Sequence, residues 1–167
     1  VPEKNIMNCP LLTISLIPLT RGKYAIVDRD DYERLSQNKW LALKSGNTFY
    51  ASRHPANKCV IWMHREILNT PIGFFTDHIN RNGIDNRKSN LRICSKAENC
   101  HNQKYRKNNK SRFKGVCFHK ASGKWQSQIM INYKTIHLGI FSNEVDAARE
   151  YDIKSKELHG QFAYTNF

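Results

Sequence analysis

Acidic residues are scarce in this sequence of 167 residues, with 14 Asp and Glu against 27 Lys and Arg and a formal charge of +13. The five cysteines (Cys9, Cys59, Cys94, Cys100 and Cys117) form no CxxC pair, and their number is odd. That argues against a zinc ribbon and a disulfide framework, and it points to a reducing compartment. Long hydrophobic runs are also missing. The most apolar stretch, "CPLLTISLIPLT", is short, carries Pro10 and Pro18, and follows no strongly basic region. It is expected to be a strand, not a bilayer span or a secretory signal, so the chain is expected to be cytoplasmic.

What is abundant is positive charge, and it is unevenly placed. From Lys104 to Lys124 there are eight basic residues and no acid. A polyanionic partner fits this run, and the polar and aromatic residues scattered through it favour nucleic acid over a membrane surface. The alternative is a soluble cationic protein with no such partner.

The chain reads as three segments. Residues 1 to 75 alternate short apolar runs with turns. "KYAIVDRDDYERLSQNKWLAL" predicts strand, short helix and strand, and "TFYASR" and "CVIWMHREIL" follow, separated by breaks at Gly46-Asn47 and His54-Pro55. Asp28, Asp30, Asp31 and Glu33 form no metal cluster in this reading; acids at a helix start complement its macrodipole. From about residue 72 to 105, "IGFFTDHI" predicts a strand and Asn82-Gly83 a tight turn with positive φ. "NLRICS" predicts a returning strand, and Ser95 with Glu98 a capping box opening a helix. The result is a ββα unit. Past the basic stretch "KYRKNNKSR", "FKGVCFH", "KWQSQIMIN" and "TIHLGIF" predict three strands with turns at Ser122-Gly123 and Asn132-Tyr133. "SNEVDAAREYDIKSKELHG" predicts an amphipathic helix capped by Ser142 or Asn143, ended by Gly160, with Ala148, Tyr151 and Leu158 facing inward. Alternation in the middle strand puts Trp125, Ser127, Ile129 and Ile131 on one face and Gln126, Gln128, Met130 and Asn132 on the other.

The stretch "DHINRNGIDNRKSNLRICSKAENCHNQ" is almost empty of core-forming residues. It is either a long solvated loop or a place where side chains converge on something charged. Phosphodiester hydrolysis needs an activated water and stabilisation of charge at the phosphate and the leaving oxygen. An imidazole serves the first need and an oxygen-liganded divalent ion the second. Asp77 and His78 supply a carboxylate and an imidazole at a strand end.

"DHINRNGIDNRKSNLRICSKAEN" resembles the ββα-metal motif of the HNH endonucleases, in the subgroup where asparagine replaces the last histidine. The resemblance implies His78 as general base, Asp77 and Asn99 as ligands of Mg2+ or Mn2+, and Asn90 as the asparagine that braces the loop and orients the base. Asp85, Asn86 and Arg87 match the family's loop, with a mostly structural role; His101 and Asn102 are lesser candidates. His64, in "WMHREIL", matches a feature often found before the motif, where it touches the phosphate or the leaving oxygen, or else is an interior histidine. Arg65 and Arg92 are phosphate clamps or surface ion pairs in this reading.

The last segment, from "SRFKGV" to the closing "NF", resembles the AP2 DNA-binding domain in "KGV", "GKW", "LGIF", "AAREYD" and "NF". That implies a three-stranded sheet lying in the major groove of double-stranded DNA. The outward positions are Lys114, His119, Gln126, Gln128, Met130, Thr135 and His137, with Lys120 and Lys124 near phosphates. Lys104, Arg106, Lys107, Lys110 and Arg112 add basic contacts ahead of the sheet. Cys117, Met130, Thr135 and His137 stand where the family commonly carries arginines and a tryptophan, so fewer bidentate contacts to guanine are expected.

The whole is expected to be an α+β protein with three parts: a nuclease domain over residues 1–105, a basic linker over 106–111, and an AP2-like domain over 112–167. This order resembles the small HNH-AP2 proteins of phages and mobile elements, often homing endonucleases, acting as monomer or homodimer and without a membrane. The alternative is a non-catalytic DNA-binding regulator on the same scaffold.

Overall fold

The strands are short, and among the described residues they pair into sheets of two or three strands. The computed structural model describes residues 14–56, 59–102, 110–131 and 134–167. It is an α+β structure of several small antiparallel sheets and few helices. The chain divides into two compact units, residues 1–95 and 96–167. No helix among the described residues is long and apolar enough to cross a membrane.

In the first unit, β1 (Ile14–Pro18) pairs antiparallel with β2 (Tyr24–Asp28). In "YAIVD" the small and branched residues alternate inward, so Ala25 and Val27 are fully buried while Tyr24 is exposed. Helix α1 (Arg29–Ser36) starts directly after β2 with Asp30 and Asp31 in its first turn. Asp31 is buried and forms ion pairs with Arg34 and Lys88, so its role is structural as well as dipolar. Strands β3 (Leu41–Ser45) and β4 (Thr48–Arg53) form the hairpin read from Gly46-Asn47. The segment "CVIWMHREIL" divides into a two-residue strand β5 (Ile61–Trp62), paired with β4, and helix α2 (Met63–Leu68). Ile17, Val27, Leu35, Trp40, Met63 and Leu91 share one core, and the indole N–H of Trp40 donates to Leu35 O at 2.8 Å. Strands β6 (Phe75–His78) and β7 (Leu91–Cys94) pair antiparallel, with His78 opposite Leu91, and helix α2 packs on both.

In the second unit, helix α3 (Lys96–His101) comes first, directly after Ser95. The three-stranded sheet of β8 (Val116–His119), β9 (Lys124–Ile131) and β10 (Lys134–Phe141) has the order β10-β9-β8. Helix α4 (Glu144–His159) is capped by Asn143, whose Oδ1 accepts from Asp146 N at 2.8 Å, and packs against all three strands. Phe113, Val116, Ala147 and Ala148 form the core, with Trp125 and Phe141 against it.

Two expectations need correction here. Leu158 does not face inward; it is 38% exposed. The inner stripe of α4 ends at Ser155, whose hydroxyl donates to Tyr164 O, so the C-terminal segment covers that turn. The Asn82-Gly83 turn has no positive φ at glycine. Arg81 takes the left-handed conformation, at φ 64°, and β6 and β7 are joined by a long loop over residues 79–90. The predicted turn at Asn132-Tyr133 lies outside the described residues.

Candidate active site

Burying the polar groups of Asp85, Asn86 and Asn90 within the loop of residues 79–90 is costly unless they are hydrogen-bonded. Asn90 is the hub: its Nδ2 donates to Asp85 O at 2.7 Å and to Asn80 Oδ1 at 3.0 Å, and its Oδ1 accepts from Asn80 N at 3.0 Å. The Asn90 carbonyl accepts from Ile79 N at 2.9 Å, closing the mouth of the loop at the end of β6. The Asp85 carboxylate accepts from Asn80 Nδ2 and from the Arg87 guanidinium, which holds it below the usual carboxylate range.

The loop is also fastened to the core sheets. Ile26 N donates to Ile84 O at 2.8 Å and Asn86 N to Ile26 O at 2.7 Å, so the loop runs beside β2. Asp28 Oδ2 accepts from Lys88 N, and Thr48 Oγ1 accepts from Gly83 N. Gly83 is needed for closeness, not for its φ: a Cβ there would lie 2.5 Å from Phe49 O and 2.7 Å from the Tyr50 ring.

This frame sets the two residues at the end of β6. His78 is buried, and its Nε2 lies 3.2 Å from Asn86 Oδ1. Asp77 is buried beside Arg92, whose Nε donates to its Oδ2 at 2.8 Å. Arg92 therefore pairs with Asp77, and removing either partner of so buried a pair typically costs about 3–5 kcal/mol. Arg65 is engaged with backbone, donating to the carbonyls of Phe74, Thr70 and Pro71.

His64, on α2, comes to the same place. Its ring centroid is 5.1 Å from that of His78 in a T-shaped contact, and the Tyr50 ring lies 5.7 Å from His64 and 5.6 Å from His78. Trp62 stacks on His64 at 5.9 Å. The structure thus gathers Asp77, His78, His64 and the bracing Asn90 in the first unit. Tyr50 and the Asn86 contact were not foreseen, and nothing local in "TFYASR" or "IDNRKS" announces them. Asn99 is on α3, in the second unit.

The basic candidates in the second unit have distinct placements. Gln126, Gln128 and His137 line the sheet face opposite α4, with His137 paired to Gln128. His119 Nδ1 lies 2.8 Å from Ser122 Oγ in the turn that also carries Lys120, and Lys124 opens β9. Lys110 and Arg112 are exposed, and the Arg112 guanidinium lies over Phe113. Lys114 is not on the open face: its Nζ donates to His101 O at 2.6 Å and lies over the Tyr164 ring. Lys104, Arg106 and Lys107 lie outside the described residues.

Against known proteins, 159 residues of the chain are 30% identical to an uncharacterized HNH endonuclease of Acanthamoeba polyphaga mimivirus, covering 91% of this chain and 79% of that protein. The chain belongs to the HNH endonuclease family. It is also 32% identical over 122 residues to Protein 3.8 of Escherichia phage T7, covering 72% of this chain and 96% of that protein. A stretch of 59 residues is 42% identical to APETALA2-like protein 2 of Oryza sativa subsp. indica, covering 34% of this chain and 13% of the plant protein. No protein-family model and no solved structure matches the chain.

In this HNH endonuclease family member both imidazoles are held neutral. Burial pushes His64 from 6.5 down to about 3, aided by His78 and Arg65. Among the described residues its Nδ1 has no hydrogen-bond partner. Burial also pushes His78 down, against the opposing pull of Asn86, Asp77 and Asp85. Unfolded histidines take up protons near pH 6.5. Between 6.5 and about 3 the unfolded chain therefore binds protons that folded His64 refuses, and stability falls as the pH is lowered through that window. The melting temperature of the metal-free protein is expected to drop from about pH 7 to about pH 4. His64→Leu should flatten that profile; an unchanged slope would assign the effect to other groups.

Proposed function

We propose that the protein is a divalent-metal-dependent endonuclease that hydrolyses phosphodiester bonds of duplex DNA. In this reading His78 is the general base, Asp77 and Asn99 hold the metal, and residues 112–167 form an AP2-like module that retains the target. The observation that carries it is the pairing of a carboxylate and a neutral imidazole at the end of β6, under a loop fastened through Asn80, Asp85 and Asn90, in a member of the HNH endonuclease family.

The chain's own residues account for the proton. In the tautomer that donates from Nε2 to Asn86 Oδ1, the imidazole of His78 has its basic lone pair at Nδ1. Its lowered pKa keeps it unprotonated at neutral pH, ready to take a proton from a water molecule as that oxygen bonds to phosphorus. The bond to the leaving oxygen then breaks. Arg92 fixes the orientation of the Asp77 carboxylate. Asp77 and Asn99 are hard oxygen donors, and no cluster of three or more His, Cys, Asp or Glu suited to a metal occurs among the described residues. Such a donor set suits Mg2+ or Mn2+, which keep water and substrate phosphate in their shell and stabilise charge on the phosphate.

A small catalytic frame holds DNA poorly, and a tethered module raises its local concentration at the phosphate. The stretch of 59 residues resembling a plant APETALA2-like protein and the basic charge around it support that role. A single site cuts one strand per encounter, so a monomer nicks and a homodimer cuts both strands. A homing-type role fits this combination.

The test uses purified protein on supercoiled plasmid with Mg2+ or Mn2+. Conversion to open circle or linear DNA that EDTA abolishes is the expected result. Tight DNA binding without cleavage under either ion would overturn it in favour of a non-catalytic DNA-binding regulator.

A further inference from the structure

The sheet of the second unit keeps its two faces chemically distinct. Trp125, Ser127 and Ile129 point toward α4, with Ser127 and Ile129 buried, while Gln126, Gln128 and Met130 alternate onto the opposite side. The strand register extends that open face sideways: Cys117 and Ile140 flank Gln126, His137 is paired to Gln128, and Thr135 to Met130. Met130 is 59% exposed and Ile140 43%, although both are apolar.

Charge is segregated across the same unit. Residues 110 to 141 hold six Lys and Arg and no acid. The acids among the unit's described residues lie on its helices, Glu98 on α3 and the other five on α4. Those helices also carry Lys96, Arg149, Lys154 and Lys156, so their net charge is only −2. With Lys114 turned away from the open face, the basic excess rests on Lys110, Arg112, Lys120, Lys124 and Lys134. A polyanion is favoured on the sheet side over the helix side.

The centre of the open face decides which base pairs it suits. The three strands carry no arginine, and their lysines, Lys124 and Lys134, stand at the first residue of β9 and of β10. The bidentate donor that reads guanine O6 and N7 is therefore lacking at the centre. Two carboxamides stand there instead, and Gln126 Nε2 donates to Gln128 Oε1 at 3.1 Å, holding the pair in a shared orientation. A carboxamide matches adenine N6 and N7, and an apolar side chain beside it matches the thymine methyl.

Resting on the reading that this module holds duplex DNA, we propose that its open sheet face selects A·T base pairs in the major groove, with Gln126 and Gln128 on adenine and Met130, Thr135 and Ile140 on thymine methyl groups. A two-stranded ribbon fits that groove, and side chains two apart on one strand, about 6.6 Å from one another, can face different base pairs.

The experiment selects ligands from a random-sequence duplex pool with the full chain in EDTA, so that binding is read without cleavage. Enriched duplexes should share a run of A·T pairs. Replacing thymine by uracil in an enriched duplex removes only the methyl group and should weaken binding about fourfold per contacted methyl. Met130→Ala should lose the share of about fourfold from the methyl that Met130 contacts and keep the shares from Thr135 and Ile140. Gln126→Ala and Gln128→Ala should each weaken the enriched duplex about 5- to 150-fold while leaving a G·C-rich control duplex within about twofold. Met130 is exposed and the two glutamines are half-buried, and circular dichroism of each variant checks that it folds. Enrichment of G·C-rich ligands, no enrichment, or indifference to uracil and to both glutamine substitutions would overturn the A·T selection while leaving the DNA-holding role intact. Failure to bind any duplex even at low salt would overturn the DNA-holding role itself.

Discussion

Replacing His78 by alanine is expected to slow plasmid cleavage by about 10^2- to 10^4-fold, the usual contribution of a general base, or about 3–5 kcal/mol of barrier. The equilibrium constant for DNA binding should stay within a few-fold, because His78 is buried and offers no surface charge to phosphates. Removing a buried ring also leaves a cavity beside Tyr50 and His64, so loss of activity through loss of fold must be separated. His78→Gln makes that separation. Its side chain fills most of the ring's volume and can bond Asn86, but it has no lone pair that accepts a proton near neutral pH. Both variants should be inactive, and His78→Gln should melt closer to the wild type. Tyr50→Phe keeps the ring that touches both histidines and should retain most of the activity. Equal cleavage by His78→Ala and wild type would sink the assignment of the base.

The local layer of this structure was legible in the residues and the tertiary layer was not. Strand β2, helix α1 and strand β3 follow from "KYAIVDRDDYERLSQNKWLAL" because alternation, acidic helix start and returning apolar run all lie within one short window. The same holds for the start of α4, where Asn143 is the cap of the two candidates Ser142 and Asn143, and for the alternation of β9. The polar stretch after Asp77 could be read as a place of convergence, but not which groups converge. Asn86 reaches His78 across 8 positions, Gly83 reaches Thr48 across 35, and Lys88 reaches Asp28 across 60. Such partners are chosen by how β2 and β4 pack, and no local spacing encodes them. Asn82-Gly83 misleads for the same reason: the glycine is demanded by the Tyr50 ring above it, while the turn's left-handed residue is Arg81. Lys114 reads as a groove contact by charge alone, yet His101 O and the Tyr164 ring claim its ammonium group.

Gly115→Ala is expected to have the largest effect of any single methyl group added to the second unit. Gly115 has φ 77°, which costs an L-residue about 1–2 kcal/mol. The added Cβ would lie 1.9 Å from Tyr151 Cδ2 and 2.3 Å from Cε2, about half an ordinary contact distance. Neither side can yield. Tyr151 is buried on the inner face of α4, and Gly115 O accepts from Gln128 N. The neighbouring Lys114 backbone is clamped by Asn166, itself bound to Asp152. Overpacking adds about 1–3 kcal/mol, so a total loss of about 2–5 kcal/mol is expected in denaturant melts. Gly123→Ala supplies the control: its φ is 66° and nothing lies within 4 Å, so only the backbone term remains. The difference between the two variants measures the clash. The consequence for cleavage follows from where α3 sits. Asn99 is on α3, which belongs to this unit and touches its closing turn at residues 160–162, and Lys114, beside Gly115, donates to His101 O at the end of α3. If Asn99 holds the metal as proposed, loosening the unit lowers kcat as well as raising KM. A raised KM with unchanged kcat would mean that loosening this unit affects only the holding of DNA.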